Sequence, residues 1–544
     1  MQSLVFRLSA LFVGLLLLVF AVSNARADGE GDEDDDRKVL EGHSVHGHVF
    51  NEGPRQKAYL MGGTGKIHFP VTTKSPEAQK FVEQGIGQLH GFWFYEAERS
   101  FRTAAFHDPD CTMAYWGMAM ANVLNDRRFE GFAAEAEKRT KGITEREQMY
   151  VQALRDAEVF PRIARRYPDD LEAKAFRVFF VGAYHSGGSG QRDRNMYVDT
   201  TCKEILEVEP MHPVHHYIIH AWDAMREPFR ARASAERSGP SAPSIAHMWH
   251  MAGGHVYAVL WEYANACFMQ EAAARVDHKQ MMRDLLLPDQ IHLYAHNNEW
   301  LTRNLCNVGR VHDAVALSKN MIELPRHPKY NMLRERDEEA IDETTQNAEI
   351  QHESSYYGRK RLFETLTRFE LWDELLKLSD TPYLEPSPII TEQTEHYRFV
   401  GTAHYRKGDM ARGDEALKTL ENHLAEQQAG RDKALDDVSK KGGGRGVATH
   451  EALDKVNEYY HFRLDQLAGA IRQLKAYRAL AGGRYISARD MKIAWALIGV
   501  AAVGSVWVLR RRKSMLLLSL LVSGGLAGIT YGMNAPLQTA RVAS

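Results

Sequence analysis

The sequence contains few cysteines, and none of them forms a recognised motif. Its 544 residues include four, Cys111, Cys202, Cys267 and Cys306. No two of them make a CxxC pair or the CxxCH that attaches a c-type haem, which excludes both kinds of site. An oxidising compartment allows one or two disulfides among these residues. Isolated thiols inside a helical core are the alternative.

The sequence also lacks the charge imbalance of a nucleic-acid-binding protein. Lysine and arginine together number 68, against 71 aspartate and glutamate residues, which gives a formal net charge of −3. No basic stripe stands out between the two ends of the chain. Since binding to a phosphate backbone depends on such clustered positive charge, we expect no nucleic-acid partner.

The common catalytic motifs are missing as well. The sequence has no HExxH, GxSxG, GxxxxGK[ST] or GxGxxG pattern, which are the signatures of zinc proteases, α/β-hydrolases, P-loop nucleotide hydrolases and dinucleotide-binding enzymes. The motifs alone therefore do not decide whether the chain is an enzyme.

The N-terminus predicts secretion. Arg7 precedes an apolar run over residues 8–22, and Ala25-Arg26-Ala27 follows as a small-residue cleavage site. This layout is typical of a signal peptide, here over residues 1–27. An uncleaved N-terminal anchor is the alternative.

The C-terminus predicts a membrane anchor. Two apolar stretches, 493–509 and 515–533, flank four consecutive cations at 510–513. We interpret them as a transmembrane hairpin, with one span and a partly buried tail as the alternative. Positive loops stay in the cytoplasm, so residues 28–488 are predicted to lie on the extracytoplasmic side of a bacterial cytoplasmic membrane.

Helix signals dominate the part between these ends. Ser75 is a capping residue placed directly before Pro76, which suits the first turn of a helix. Alanine, leucine and aromatic residues then recur at helical spacing, whereas strand-like alternation is scarce. The chain is therefore predicted to be all-α.

A repeat pattern appears within this helical region. Gly85, Ala97, Phe101, Ala104 and Pro109 have the spacing of small and large residues in a tetratricopeptide repeat. Glycine and alanine let paired helices approach closely, and Phe101 is predicted to fill the gap between them. A weaker copy follows at 300–325. Stacked repeats form a superhelix whose concave groove can bind a protein or ligand partner.

These patterns divide the chain into consecutive segments. The helical region is followed by a predicted hinge at 431–446 and an amphipathic helix. In chain order the segments are a signal peptide at 1–27, an acidic, histidine-containing flexible segment at 28–74, a TPR-like repeat domain at 75–425, the hinge and amphipathic helix at 426–488, a transmembrane hairpin at 489–534 and a tail at 535–544.

Histidine is concentrated in one short part of the chain. Ten of the 25 histidines fall between residues 212 and 296. Positions i, i+4 and i+7 share one face of a helix, and a His-His-acid pattern with this spacing occurs twice. The candidate metal ligands from the two patterns and the segment between them are His216, His220, Asp223, His247, His250, His255, His292, His296 and Glu299.

These residue types indicate a metal site. Neutral imidazole is the commonest protein ligand for zinc, copper and iron, and His-rich ligation with a carboxylate suits zinc. Met248 and Met251 beside the histidines leave copper open, because thioethers favour its reduced form. A hydrogen-bonded polar seam lining the groove is the alternative without a metal.

Three functions are compatible with such a cluster. The first is partner or ligand binding in a His-rich groove that holds a metal ion. The second is a metal-dependent hydrolase, in which a metal-bound water attacks and Asp223 or Glu299 is the general base. The third is a metal-binding or metal-delivery module.

Four segments resemble a family of bacterial secreted tetratricopeptide-repeat proteins. They are GQLHGFWFYEAERSFRTAAFHDPDCTMAYWGMAMAN at 87–122, HHYIIHAWD at 215–223, HMWHMAGGHVY at 247–257 and HNNEWL at 296–301. The similarity covers about residues 55–425 and implies fold and location rather than an activity. Where related members have HMPxHxY, this chain is one residue longer and lacks the proline.

Overall fold

The computed structural model of the protein describes residues 57–123, 125–183, 190–223, 227–288, 291–325, 354–387, 389–441 and 447–482. Within these residues the chain forms nineteen α-helices and no strand, which confirms the all-α prediction. The predicted signal peptide, hairpin and tail lie outside them. No helix among the residues described is both long enough and apolar enough to cross a bilayer.

The chain divides into two compact units, 1–388 and 389–544, and each is described by itself. The helices described in the first unit are α1 (Pro76–His90), α2 (Phe94–His107), α3 (Thr112–Met120), α4 (Asp126–Glu137), α5 (Glu145–Ala153), α6 (Val159–Arg166), α7 (Leu171–Val178), α8 (Gln191–Val208), α9 (His215–Asp223), α10 (Arg232–Ser241), α11 (Ala246–Met251), α12 (Tyr263–Asp284), α13 (His292–Asn307), α14 (Val311–Glu323), α15 (Ser354–Arg368) and α16 (Trp372–Leu378). Those described in the second unit are α17 (Ile390–Arg406), α18 (Met410–Lys441) and α19 (Val447–Ala481).

The first helices pack as the glycine and alanine spacing predicts. The Ser75 hydroxyl caps α1 by accepting a hydrogen bond from Ala78 N. Phe101 is fully buried, and its ring lies against two glycines. A Cβ atom at Gly85 would come within 2.7 Å of this ring, and one at Gly117 within 2.3 Å. The predicted burial of Phe101 is confirmed, and Gly117 is a contact that the repeat spacing did not identify.

The structure describes residues 57–74 of the segment that the sequence predicts to be flexible over 28–74. This part is not helical, but it is held against the helices by side chains that accept hydrogen bonds from its main chain. Thr72 N, for example, donates to Glu147 Oε1 at 2.6 Å, and Phe69 is fully buried. Side-chain acceptors thus satisfy the segment's N–H groups in place of a helix.

In the second unit, helix α18 continues through most of the predicted hinge. Residues 431–441 are helical, which corrects the prediction of a loop there. The sequence RDKALDDVSKK contains several strong helix formers, and Lys440 forms an i,i+4 ion pair with Asp436. The glycine run at 442–444 lies outside the described residues. The segment predicted to be an amphipathic helix forms the helix α19.

All four cysteines are buried, and none of them is in a disulfide. Cys111 and Cys202 are fully buried within the large core of the first unit. Burial raises the pKa of the Cys111 thiol to about 11. Of the two alternatives left by the sequence, the structure has isolated thiols in a helical core.

Candidate metal centre

Three parts of the first unit bring histidines together: helix α9, helix α11 with the π-helical turn at 252–257 that continues it, and helix α13. On α9, His216 and His220 are one turn apart, and their ring centroids are separated by 4.6 Å. His247 of α11 lies 4.8 Å from His216 and 6.2 Å from His220, measured between ring centroids. The three imidazoles therefore form one group.

The group offers three closely spaced ligand nitrogens. A ligand nitrogen of each of His216, His220 and His247 lies within 4.8 Å of the other two. All three Nε2 atoms are buried, and no described residue offers any of them a hydrogen bond. Three atoms at this upper limit of separation would each lie about 2.8 Å from their common centre, compared with about 2.0–2.1 Å for a zinc–imidazole bond. Binding of a metal ion would therefore draw nitrogens at this limit closer together.

The protonation of His216 suits a metal ligand. Its Nδ1 donates a hydrogen bond to the His90 carbonyl oxygen at 2.7 Å, so the lone pair is on Nε2. Ligating histidines are commonly oriented by such a bond from the other ring nitrogen. Burial lowers the pKa of His216 to about 3, and it lowers the pKa values of His220 and His247 well below their usual range. All three rings are therefore neutral at pH 7.

A second buried cluster fixes the His90 carbonyl. Nε2 of His90 lies 2.6 Å from one carboxylate oxygen of Glu172, and Nε2 of His212 lies 3.1 Å from the other. The Tyr217 hydroxyl lies 2.7 Å from His90 Nδ1. Burial raises the pKa of Glu172, but the facing His212 and His90 outweigh that effect and hold it well below its usual range.

We call His90, Glu172, His212 and Tyr217 the clamp. Its two imidazoles and its carboxylate lie close enough together to hold a metal ion. The carboxylate, however, already pairs with both imidazoles. The clamp is therefore best described as a support for His216. The sequence did not predict the clamp, because no regular spacing links its residues, which come from α1, α7, the turn before α9 and α9 itself.

Phe92 forms an apolar wall beside the tris-histidine group. Its ring centroid lies 4.4 Å from that of His216, 5.3 Å from that of His220 and 6.1 Å from that of His247. The Phe92 backbone has a φ of 53°, in the left-handed region that bulky residues rarely adopt. Strained backbone of this kind is concentrated at functional sites.

The π-helical turn aligns His250 with His255. The turn is closed by a hydrogen bond from Ala258 N to Gly253 O at 3.0 Å, between residues five apart. The wider turn brings side chains with the same spacing together, and the two ring centroids are 5.4 Å apart. Residues 252–257 are thus a π-helical turn, a feature frequent at functional sites.

The two predicted carboxylate ligands have protein partners. Asp223 Oδ2 accepts a hydrogen bond from His255 Nδ1 at 2.7 Å. Glu299 accepts from Arg361 Nε at 2.6 Å, in a buried ion pair, and its other oxygen is 3.9 Å from His296 Nδ1. Both carboxylates therefore orient neighbouring groups and are not positioned as direct ligands. The side chain of His292 lies outside the described residues.

The two methionines that left copper open pack into apolar clusters. Met248 contacts a small cluster with Ala242 and Ile245, and Met251 belongs to the large core of the first unit. Both side chains are fully buried. The packing of these two thioethers therefore does not favour copper, and the candidate ligands are nitrogen atoms.

Comparison of the chain with protein-family models and with curated proteins gives no match in either case.

Proposed function

We propose that this chain is a metal-binding protein that holds a divalent transition-metal ion, zinc in the first instance, on His216, His220 and His247. One observation carries the proposal: ligand nitrogens of the three imidazoles lie within 4.8 Å of one another, and no described residue hydrogen-bonds to any of their buried Nε2 atoms. An unpartnered buried polar atom costs about 1–3 kcal/mol. Three such atoms in one group of imidazoles are explained by a ligand that accepts three lone pairs.

The surroundings of the three imidazoles support this proposal. The Nδ1 bond of His216 and the burial of the ligand atoms keep the rings in the neutral form that binds metal. Phe92 supplies an apolar wall. A shell of this kind controls the access of solvent to a metal site.

We favour metal binding over hydrolysis. A site with three protein ligands and a fourth open position is typical of catalytic zinc, which keeps the hydrolase as a second candidate. A hydrolase also needs a general base, and the two predicted bases are engaged. Asp223 pairs with His255, and Glu299 pairs with Arg361.

We further propose that the helical first unit is a TPR-like repeat domain that binds a protein or ligand partner through its His-rich groove. Its proposed location is the extracytoplasmic face of a bacterial cytoplasmic membrane, to which the C-terminal hairpin tethers it. The spacing around Phe101 and the two apolar ends of the sequence support these proposals.

The test is zinc affinity, measured by chelator competition on the full-length chain. His220→Ala and His247→Ala should each weaken binding far more than the roughly 10–100-fold loss expected for a supporting residue. His312, an exposed residue of α14, provides the control, and His312→Ala should bind as the wild type does. Circular dichroism should be the same for all four proteins. Equal zinc affinity in the wild type and both cluster variants would overturn the proposal.

A further inference from the structure

Two connecting turns of the first unit expose large apolar side chains. One is the short 3-10 turn at 228–231, and the other, at 258–261, joins the π-helical turn to α12. The 3-10 turn packs against the π-helical turn, so both connections lie in the same part of the surface. We call the exposed side chains of these turns and of the start of α12 the apolar tip, and each is more than half exposed: Phe229, Val259, Trp261 and Phe268.

Trp261 occupies a backbone position that usually belongs to glycine. Glu262 N donates a hydrogen bond to Tyr257 O at 2.8 Å, and Trp261 N donates to Ala258 O at 3.3 Å. These two bonds form a Schellman motif, in which the residue after the helical cap adopts a left-handed conformation. Trp261 does so with a φ of 64°, which bulky residues rarely adopt. Since its side chain is also 80% exposed, the packing of the fold does not explain a tryptophan here.

The charges near the apolar tip cancel. Three arginines and three glutamates lie on or beside the two turns, and they pair with one another: Arg192 and Arg230 with Glu227, and Arg232 with Glu236 and Glu262. A surface that attracts a charged partner presents an excess of one sign. The apolar tip therefore suits an uncharged partner.

The boundary between lipid headgroups and acyl chains has the properties that the apolar tip requires. Tryptophan is enriched at this boundary, because its ring combines an apolar body with a polar N–H. Protruding side chains also enter a lipid layer without a complementary pocket, which a protein partner would have to supply. The two apolar stretches at 493–509 and 515–533, which we interpret as a membrane hairpin, would keep the tip near a bilayer.

We propose that the apolar tip inserts into the extracytoplasmic leaflet of the membrane and holds the first unit against the lipid surface. This inference rests on the proposed membrane tether and is independent of the metal. Because the neighbouring charges cancel, insertion should occur in zwitterionic lipid and should persist at high salt, which screens exposed charges.

The test is the lipid contact of residue 261 in the full-length chain, reconstituted into phosphatidylcholine nanodiscs. A nitroxide label is attached to Trp261→Cys, since the four natural cysteines are buried. Electron paramagnetic resonance then compares its collisions with oxygen, which concentrates in lipid, and with a water-soluble nickel complex. Oxygen collisions should dominate at residue 261, at low and at high salt. Phe106→Cys, at an exposed apolar position of α2, is the matched control, and there the nickel complex should dominate.

A label at Phe229→Cys repeats the measurement on the other turn and should also report lipid. Dominant nickel collisions at both 229 and 261 would overturn the inference and leave the tether intact. Lipid contact that is lost at high salt would overturn the uncharged mode of insertion. A chain that does not enter nanodiscs would overturn the tether and this inference together, whereas zinc affinity tests the metal centre separately.

Discussion

The His216 ring and the main-chain carbonyl of His90 are joined by a 2.7 Å hydrogen bond between residues 126 positions apart in the sequence. His90 is the last residue of α1, and its own ring is held by Glu172 and Tyr217. The clamp therefore fixes both the orientation of His216 and the nitrogen that carries its lone pair. The metal affinity of the tris-histidine group should therefore depend on residues that do not touch the ion.

We expect Glu172→Gln to weaken zinc binding by the tris-histidine group. The substitution keeps the shape of the side chain but removes the charge that orients His90 and His212, and the loss of such supporting interactions typically costs about 10–100-fold in affinity. Chelator competition measures the effect.

The matched control for this variant is Glu204→Gln at an exposed position of α8, which should leave zinc affinity unchanged. Unaltered affinity in Glu172→Gln, with helix content preserved, would show that the clamp does not support the site.

The packing of Phe101 predicts that Gly117→Ala is destabilising. The added Cβ would lie 2.3 Å from a fully buried ring, and over-packing of a core typically costs about 1–3 kcal/mol. Urea unfolding measures the loss. Gly469→Ala in α19 has no atom closer than 3.8 Å to the new Cβ, so it should be neutral or slightly stabilising. Equal stability of the two variants would contradict the described packing of α3 on α2.

The burial of Asp277, which is not one of the candidate metal ligands, predicts that the stability of the fold depends on pH. Burial raises its pKa to about 8, whereas the unfolded value is about 3.9. Between these values the folded state keeps a proton that the unfolded state releases, so stability falls as the pH rises. Acidification from pH 8 to pH 6 should therefore stabilise the wild type by about 2 kcal/mol more than Asp277→Asn. Urea unfolding of both proteins at the two pH values measures this difference, and equal changes would show that Asp277 is not protonated in the fold.

The apolar ends of the chain predict its topology. Reporter fusions at about residue 480 and at Lys513 should report opposite sides of the membrane, because the four cations at 510–513 favour the cytoplasm. The first fusion should be extracytoplasmic. Both reporters on one side would contradict the hairpin.

The helical period was sufficient to predict the parts of the site that lie on one helix. His216 and His220 are four residues apart on α9, and this spacing alone places them on one face. The residue types at Ser75 and Pro76 predicted the helix cap, and the repeat spacing of small and large residues predicted the burial of Phe101. Each of these predictions depends on contacts within one or two neighbouring helices.

Other parts of the site depend on contacts between distant segments. The clamp joins His90 to Glu172 across 82 residues, and no periodicity encodes that pairing. The partners of Asp223 and Glu299 could not be deduced from the sequence either. Both acids were therefore predicted as metal ligands. The contact between the His250 and His255 rings depends on a π-helical turn, because an α-helical period places residues five apart on different faces.

The most direct test of the central claim is X-ray absorption at the zinc edge, on the chain loaded with one equivalent of zinc(II). Three imidazole nitrogens at about 2.0–2.1 Å, with the multiple scattering typical of histidine rings, are the predicted first shell. His220→Ala should lose one of these nitrogens. A first shell that contains sulfur, or one made of oxygen atoms alone, would contradict a metal centre built from His216, His220 and His247.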